Sequence, residues 1–250
     1  MSLTRCTLTG VDASTSLDAI ADISDRFPFV EWGFLYSPKR QGQPGRYPSV
    51  DTLRRAFEAL PQQVQVALHV CGQGVPDLLA GECVITELVE KVARRNGRVQ
   101  LNFNAATEGL TLSSLMGLFE NFPATTFITQ HNLSNAPLLA RLREYGIANH
   151  ATLFDSSGGR GLSPMDWSPP LIGIQCGYAG GLGPINLSEK LPEIHAAAHD
   201  TDYWIDMEGK LRDADDRFNL DAAKASLEAV AEFHPRCVEK DQNKRANMSV

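Results

Sequence analysis

The chain has 250 residues, of which 43% are hydrophobic and 21% are charged; this composition is typical of a globular protein and excludes collagen-like, coiled-coil and largely disordered chains. Its 23 Lys and Arg residues against 30 Asp and Glu residues give a net charge of −7. That balance argues against sequence-independent nucleic-acid binding, which needs many cations facing phosphates, but it allows a local site for a small anion.

Short β-rich runs alternate with longer helical runs along the chain. The pattern predicts eight strands, over Arg5–Thr9, Phe29–Tyr36, Val64–Val70, Arg98–Asn104, Thr125–Gln130, Ala151–Asp155, Leu171–Cys176 and Tyr203–Met207. It predicts helices over Ser16–Arg26, Val50–Leu60, Glu82–Arg95, Leu112–Asn121, Asn135–Glu144, Asn186–Ala198 and Leu220–Phe233. The segment Ser156–Pro170 is rich in Gly, Pro and Ser, which predicts a long loop.

Eight strands that alternate with helices in a chain of this length indicate a single-domain (β/α)₈ barrel. We expect it to span residues 1–234 and to be followed by a polar C-terminal tail over residues 235–250. An open doubly wound sheet is the alternative, because local patterns do not show whether the sheet closes.

The chain carries no sign of a membrane or secreted protein. No apolar run reaches the roughly 18 residues of a membrane span, and the first residues lack the apolar stretch of a signal peptide. The five cysteines are widely scattered without a C-x-x-C pair, which favours reduced thiols. We therefore expect a cytoplasmic protein, a monomer or homodimer, without nucleic-acid or membrane partners.

Every predicted strand ends in polar, glycine-rich or ionisable residues. In a barrel these ends meet at one rim, where such folds bind ligands. The pattern therefore predicts a binding site for a small polar ligand. The candidate side chains at this rim are Thr9, Asp12, Arg46, His69, Asn102, Asn104, His131, Asp155 and Asp206.

Glycine-rich turns follow strands seven and eight. Gly180 and Gly181 precede a predicted helix, and Gly209 follows the eighth strand. Glycines allow backbone N–H groups to converge, and a helix N-terminus adds partial positive charge. Because barrels often bind phosphate at this pair of loops, we predict a phosphate site there. The alternative is that these glycines only shape tight turns.

Four stretches along the chain carry recognisable motifs. Ser37-Pro38 is followed by Arg46-Tyr47, and Asp155 by Gly158-Gly159-Arg160-Gly161 and Met165-Asp166-Trp167. Ala179-Gly180-Gly181-Leu182 with Pro184 and Asn186 is similar to the pattern A-G-G-L-x-P-x-N, and Ile205-Asp206-Met207-Glu208-Gly209 to V-D-V-S-S-G, one residue short. In this order the motifs resemble the phosphoribosylanthranilate isomerase family, over the range Thr7 to Phe233.

The resemblance implies a (β/α)₈ barrel and an isomerase of tryptophan biosynthesis. Such enzymes convert an N-glycoside of a pentose phosphate into a ketose by an Amadori rearrangement. Asp155 matches the acid that protonates the ring oxygen. Arg46 matches the residue that holds the anthranilate carboxylate, a task that suits a guanidinium, although a solvated loop cation is the alternative. The glycines at 158, 159, 180, 181 and 209 match phosphate-binding turns, and His69, Asn102, Asn104 and Asp206 are expected to contact the substrate.

The end of strand one departs from the family motif K-x-C-G-x-T, in which the cysteine is the base. The matching stretch here places Thr9 at that position, and a threonine hydroxyl does not ionise near neutral pH. Cys6 lies three residues earlier with the opposite strand parity, so we expect a buried thiol that faces the helices. Asp12, at the strand end, or His131 is the expected substitute for the base.

The leading hypothesis is a barrel that binds a phosphorylated small molecule and acts as an isomerase on a phosphosugar derivative, without a metal or another cofactor. Two alternatives stay open. One is a barrel that binds a phosphorylated ligand without catalysis, because its base is lost with Thr9. The other is a lyase that acts on a different phosphosugar.

Overall fold

Eight parallel strands form a closed barrel in which each strand pairs with the next along the chain and the last pairs with the first. The computed structural model describes residues 2–107 and 109–247, with side chains up to Phe233. Closure confirms the (β/α)₈ barrel and excludes the open doubly wound sheet. The strands are β1 (Leu3–Thr9), β2 (Val30–Tyr36), β3 (Gln65–Cys71), β4 (Arg98–Asn102), β5 (Thr126–His131), β6 (His150–Phe154), β7 (Gln175–Ala179) and β8 (Tyr203–Met207).

The helices surround the barrel and lie close to their predicted ranges. They are α1 (Leu17–Arg26), α2 (Val50–Ala59), α3 (Gly74–Leu79), α4 (Cys83–Ala93), α5 (Leu112–Asn121), α6 (Ala136–Glu144), α7 (Leu187–Ala197) and α8 (Leu220–Asn247). A short 3₁₀ helix covers Gly209–Leu211. Helix α3 was not predicted from the sequence, because six residues are too short for a helical period to show. Among the described residues, no helix has the length and apolar character needed to cross a membrane.

Side-chain caps fix where several helices begin. The Ser16 and Ser49 hydroxyl oxygens accept hydrogen bonds from the backbone amides of Ala19, at 3.3 Å, and Thr52, at 3.1 Å. Such bonds satisfy amides that have no partner inside the helix. At the other end of the chain, α8 continues to Asn247, beyond its predicted end at Phe233. The side chains of the expected tail and residues 248–250 lie outside the described part of the chain.

Strand β7 is the one strand that the sequence places wrongly. The prediction was Leu171–Cys176, whereas the strand is Gln175–Ala179. The apolar run before it is a turn, in which Ile172 is 91% exposed. The actual strand contains Gly177, which pairs with Trp204. A Cβ at this glycine would overlap the indole ring, so packing requires a residue with low strand propensity.

Strand residues alternate between the helices and the barrel interior. Cys6 and Leu8 face the helices within the large apolar core, as the parity argument predicted for Cys6. Burial raises the pKa of the Cys6 thiol above its usual range. In the interior, Arg98 Nη2 lies 2.5 Å from Glu31 Oε1. The Arg98 guanidinium also lies 4.5 Å from the centre of the Trp204 ring, so a buried ion pair and an indole fill the barrel below the rim.

Candidate active site

A cavity of about 310 Å³ opens at the carboxyl ends of the strands. Its wall is polar for the most part and comes from strand ends and the loops that follow them. We call it the central cavity. Its lining residues are Thr9, Arg46, His69, Gln100, Asn102, Gln130, Leu153, Asp155, Gly159, Arg160, Gly161, Ala179, Gly180, Gly181, Leu182, Asp206, Met207, Glu208, Gly209 and Lys210.

Thr9 and Asp206 form a hydrogen-bonded pair in this cavity. The Thr9 hydroxyl donates to Asp206 Oδ1 at 2.7 Å. Burial raises the pKa of Asp206 to about 7, because the charged carboxylate loses its hydration; the Thr9 hydrogen bond opposes this rise, and the charge of Glu208 adds to it. Asp206 is therefore a carboxyl group that can both accept and release a proton at neutral pH.

His69 lies on the other side of Thr9. Its Nε2 is 3.5 Å from the Thr9 hydroxyl oxygen, and its ring is buried. Burial lowers the pKa of His69 to about 4, so the imidazole is neutral at physiological pH. A neutral ring can donate or accept a hydrogen bond in the cavity but contributes no positive charge.

Asp155 follows β6 and faces the central cavity with both carboxylate oxygens already hydrogen-bonded. Oδ1 accepts from the Ser157 amide at 3.1 Å and the Ser157 hydroxyl at 2.7 Å. Oδ2 accepts from the Gly159 amide at 2.5 Å and from Gln130 Nε2 at 3.3 Å. The carboxylate thus shapes the loop after β6. To donate a proton, it must give up at least one of these bonds.

Asp12 does not reach the central cavity. The chain turns at Gly10, which has a φ of 97°, and the Asp12 carboxylate then binds Arg212 Nη2 at 3.0 Å and the Phe218 amide at 2.7 Å. The side chains of this ion pair are 3% and 4% exposed. The carboxylate thus joins the β1 and β8 loops outside the lining of the central cavity, and a role as the base would require it to leave this ion pair.

His131 also lies outside the central cavity. It ends β5, one residue after Gln130, and strand alternation turns its ring outward. The ring packs against Phe154 with centroids 5.1 Å apart and lines a separate cavity of about 240 Å³ beside Trp167. Burial lowers the pKa of His131. The sequence grouped it with Asp155, but the structure does not bring the two to one cavity.

Arg46 lines the central cavity with its guanidinium held by two carboxylates. Nη1 lies 2.5 Å from Glu208 Oε1, and Nη2 lies 2.6 Å from Asp216 Oδ1. Its hydrogen bond to Asp216 is the main reason that its pKa is raised above the usual range. The charge of Arg46 is thus balanced within the protein by two carboxylates, and its role in binding a substrate carboxylate stays a prediction.

A second, larger cavity of about 730 Å³ adjoins the central one. Of the predicted residues, Arg46, Asn102 and Gly159 line both cavities, whereas Asn104 and Gly158 line only the larger one. We call it the outer cavity. It is lined by Leu35, Arg40, Arg46, Tyr47, Cys71, Gly72, Asn102, Phe103, Asn104, Thr107, Gln130, Asn132, Leu133, Ser134, Ser156, Ser157, Gly158, Gly159, Arg160 and Glu208.

The predicted glycine turns after β7 and β8 come together at one side of the central cavity. Gly181 has a φ of 61°, and a Cβ on Gly180 would lie 2.8 Å from the Leu162 carbonyl oxygen. Within the described chain, the amides of Gly181 and Leu182 donate to no protein group. We call the loops 180–182 and 209–210 the glycine cup; their geometry suits an anion.

Two cations beside the glycine cup were not among the predicted site residues. Arg160 and Lys210 both line the central cavity, and neither forms an ion pair with any residue that the structure describes. Each directly follows a glycine of a predicted turn, and that adjacency was the available signal. Among the described residues, no group of three His, Cys, Asp or Glu side chains is arranged to hold a metal ion.

These features define a (β/α)₈ barrel with a polar cavity at the carboxyl ends of its strands. A scan with protein-family models finds no match for the sequence, and a search of curated proteins finds none either. Solved structures do match over almost the whole chain.

Phosphoribosyl anthranilate isomerases are prominent among these structures. The enzyme from Thermus thermophilus matches with a TM-score of 0.59 and 20% identity, over 92% of this chain and 99% of the other. TrpF from Jonesia denitrificans matches with a TM-score of 0.62 and 15% identity, over 91% and 97%. An isomerase in complex with reduced 1-(o-carboxyphenylamino)-1-deoxyribulose 5-phosphate matches with a TM-score of 0.59 and 16% identity, over 92% and 100%. The shared fold agrees with the motif resemblance.

Proposed function

We propose that the protein binds a phosphorylated sugar derivative in the central cavity and isomerises it by moving a proton between neighbouring carbon atoms. The observation that carries this proposal is the buried Asp206, which receives a hydrogen bond from Thr9 and has a pKa near 7. A carboxyl group with that pKa is suited to general base catalysis at neutral pH.

The glycine cup supports a phosphate as the anchoring group of the ligand. Its free amides, the N-terminal side of α7 and the cation of Lys210 all favour a dianion there. The fold adds support, because barrels frequently bind phosphate at the loops after strands seven and eight. One matching isomerase was solved with a deoxyribulose 5-phosphate derivative, which is a ligand of the same class.

In the proposed reaction, Asp206 takes the base role that Thr9 cannot fill. With the phosphate in the glycine cup, the ionised Asp206 removes a proton from the carbon next to the anomeric carbon. The Thr9 hydroxyl orients the carboxylate through its hydrogen bond. The electron pair of the broken C–H bond forms the double bond of the enol or enolamine. Asp206 then returns the proton to the anomeric carbon while the hydroxyl on the neighbouring carbon releases its proton to solvent, which completes the ketose.

Asp155 is the proposed acid for opening the sugar ring. It lines the same cavity as Asp206, and its proton would go to the ring oxygen as the C–O bond breaks. Because both oxygens accept hydrogen bonds from Ser157, Gly159 and Gln130, this step requires the loop after β6 to shift when the ligand binds. If Asp155 is the acid, the sugar ring therefore opens only when the loop after β6 has moved.

Hydrogen exchange with solvent tests the base. Ribulose 5-phosphate is incubated with the protein in D₂O, and NMR follows deuterium incorporation next to the carbonyl carbon. We expect exchange with the native protein and a loss of at least 100-fold in Asp206→Asn, since a general base contributes roughly 10²–10⁴-fold. Asp200→Asn, in an exposed turn after α7, is the matched control and should keep full exchange.

Freshly formed phosphoribosylanthranilate tests the specific reaction that the resemblance implies. Turnover consumes the substrate and changes the anthranilate fluorescence. If neither substrate reacts and Asp206→Asn matches the native protein, the isomerase proposal is wrong. Binding of ribulose 5-phosphate without exchange would instead support a non-catalytic barrel. The observation that favours this second candidate is Asp155, whose carboxylate is fully occupied by donors.

A further inference from the structure

Three side chains from three strands meet in the central cavity. Asp206 lies on β8, Thr9 on the neighbouring β1, and His69 on β3, two strands from β1. The Thr9 hydroxyl donates to Asp206 Oδ1 at 2.7 Å, and its oxygen lies 3.5 Å from His69 Nε2, within reach of a long hydrogen bond. All three residues are buried, so bulk water does not compete for these contacts. We call the three residues the base network.

Gly33 makes the contact between Thr9 and His69 possible. It lies on β2, which separates β1 from β3, and pairs with Thr9 in the sheet. A Cβ at Gly33 would lie 2.5 Å from the Thr9 hydroxyl oxygen and 2.9 Å from the Thr9 Cα. Because such distances are too short for non-bonded atoms, another residue at this position would displace the Thr9 side chain. The missing side chain on β2 thus lets a hydroxyl on β1 reach a ring on β3.

The hydrogens available to the base network determine which groups donate. A hydroxyl has one hydrogen and two acceptor lone pairs. Since the Thr9 hydrogen is directed to Asp206, the Thr9 oxygen can only accept from His69. Burial lowers the pKa of His69 to about 4, so the ring is neutral and carries its hydrogen on one nitrogen. This arrangement requires the hydrogen on Nε2. The opposite tautomer would make Nε2 an acceptor that competes with Asp206 for the Thr9 hydrogen.

We infer that His69, as the Nε2–H tautomer, is a positioning residue that acts through Thr9: it keeps the Thr9 hydrogen on Asp206 and so favours the ionised carboxylate, the form that accepts a proton. The catalytic part of this inference rests on the proposed function. Successive hydrogen bonds strengthen one another in an interior of low dielectric constant. His69 stays neutral in this role while Asp206 gains and loses a proton.

Other titratable and charged groups surround the base network, on the strands and on the rim loops. They are Cys6, Glu31, Arg46, Arg98, Asp155, Arg160, Glu208 and Lys210. Glu31 is paired with Arg98, and Glu208 with Arg46, each at 2.5 Å. A change with pH in the base network is therefore assigned to Asp206 by the variant Asp206→Asn, which keeps the shape of the side chain and removes its charge.

Nitrogen-15 NMR of the histidine-labelled protein tests the tautomer without a substrate. Protonated and unprotonated ring nitrogens differ in chemical shift, and the loss of one set of signals in His69→Gln assigns His69. We expect the Nε2–H tautomer near neutral pH. The Nε2 signal of His69 should also shift as the pH passes about 7, because Asp206 changes charge there and Thr9 connects the two groups.

His150 is the internal control for this titration. Its Nε2 lies 2.8 Å from the Thr129 hydroxyl, and burial lowers its pKa to about 4 as well. Within the described chain, the Thr129 hydroxyl forms no hydrogen bond with a carboxylate. The His150 signals should therefore show no step near pH 7. Thr9→Val and Asp206→Asn should each abolish the step in the His69 signal, whereas Thr9→Ser should retain it.

The pH profile of ribulose 5-phosphate exchange tests the effect on the base. His69→Phe removes the donor and should move the acidic limb to higher pH, by about half a unit. In the Thr9→Val background the same substitution should cause no further shift, because His69 acts through the Thr9 hydroxyl. A change in burial alone would shift the limb in both backgrounds. His69→Gln can still donate a hydrogen bond and should recover part of the shift.

The inference is wrong if His69 is the Nδ1–H tautomer, if its signal shows no step near pH 7, or if the step persists in Thr9→Val. It is also wrong if His69→Phe moves the limb equally in the native and Thr9→Val backgrounds, or lowers the rate without moving the limb. Failure of the proposed function gives a different result, in which the native protein does not exchange ribulose 5-phosphate at any pH. The NMR titration then decides on the base network by itself.

Discussion

Single residues decide the chemistry proposed for this cavity. Strand parity in the sequence placed Thr9 inside the barrel and Cys6 outside it, and the structure confirms both positions. The sequence did not reveal that Asp206 is paired with Thr9, because the two residues are separated by almost the whole chain. The protonation behaviour of Asp206 depends on that contact and on burial, neither of which a local pattern contains.

The pH dependence of exchange should report Asp206. Because the ionised carboxylate is the base, the rate rises with pH and levels off above about pH 7. Thr9→Val removes a hydrogen bond that stabilises the charged form, so the pKa of Asp206 rises and the acidic limb moves to higher pH, by roughly one unit. Thr9→Ser keeps the hydroxyl and should leave the limb in place; equal profiles for the Val and Ser variants would contradict the role of this bond.

At the scale of elements, the order of strands and helices could be predicted because apolar runs and helical periods alternate regularly. Strand β7 could not, since its interior position is Gly177 and the neighbouring apolar run, which includes the exposed Ile172, forms a turn. The loops were harder still. Asp12 and Arg46 face partners from the β8 loop, and only the closed barrel brings those loops together.

Asp12 should matter for stability rather than for chemistry. Asp12→Ala removes the buried carboxylate that pairs with Arg212 and leaves only the half-exposed Asp216 carboxylate, 3.3 Å from Nε. Breaking a buried pair costs about 3–5 kcal/mol of the free energy of unfolding, and the remaining partner places the expected loss near 3 kcal/mol. Urea denaturation measures the loss, and exchange of ribulose 5-phosphate at a temperature where the variant is folded should persist. As a control, Asp51→Ala breaks an ion pair whose carboxylate is 81% exposed and should cost less than about 1 kcal/mol. A variant that is stable but inactive would restore Asp12 as the base.

For the molecule as a whole, the residue pairs that meet inside the barrel are the part of the fold that could not be predicted from one sequence. Burial alone would raise the pKa of Glu31, but the charge and hydrogen bonds of Arg98 lower it overall. The pair is 1–2% exposed at its side chains, and a sequence pattern gives no sign that these two residues meet inside the barrel. Replacing both members of such a pair by apolar side chains is often neutral or stabilising, whereas removing one member leaves an uncompensated buried charge.

Removing one member of this pair should therefore harm the protein more than removing both. Arg98→Met leaves a buried carboxylate and should lower the free energy of unfolding by about 3–5 kcal/mol, whereas Glu31→Leu combined with Arg98→Met should recover at least half of that loss. Equilibrium unfolding in urea of the two single variants and the double variant measures the coupling. Strictly additive losses would show that the pair acts as two independent residues.

The contact between Gly177 and Trp204 limits how this barrel can change over evolutionary time. Any side chain at position 177 would occupy the volume of the Trp204 indole. Substitutions at the two positions can therefore occur in one order only. A smaller residue must first replace Trp204, at the cost of an interior cavity, before position 177 can gain a Cβ. Descendants of this sequence therefore either keep both residues or pass through a destabilised intermediate. We expect the pair to be substituted less often than residues of the exposed loops around the cavity.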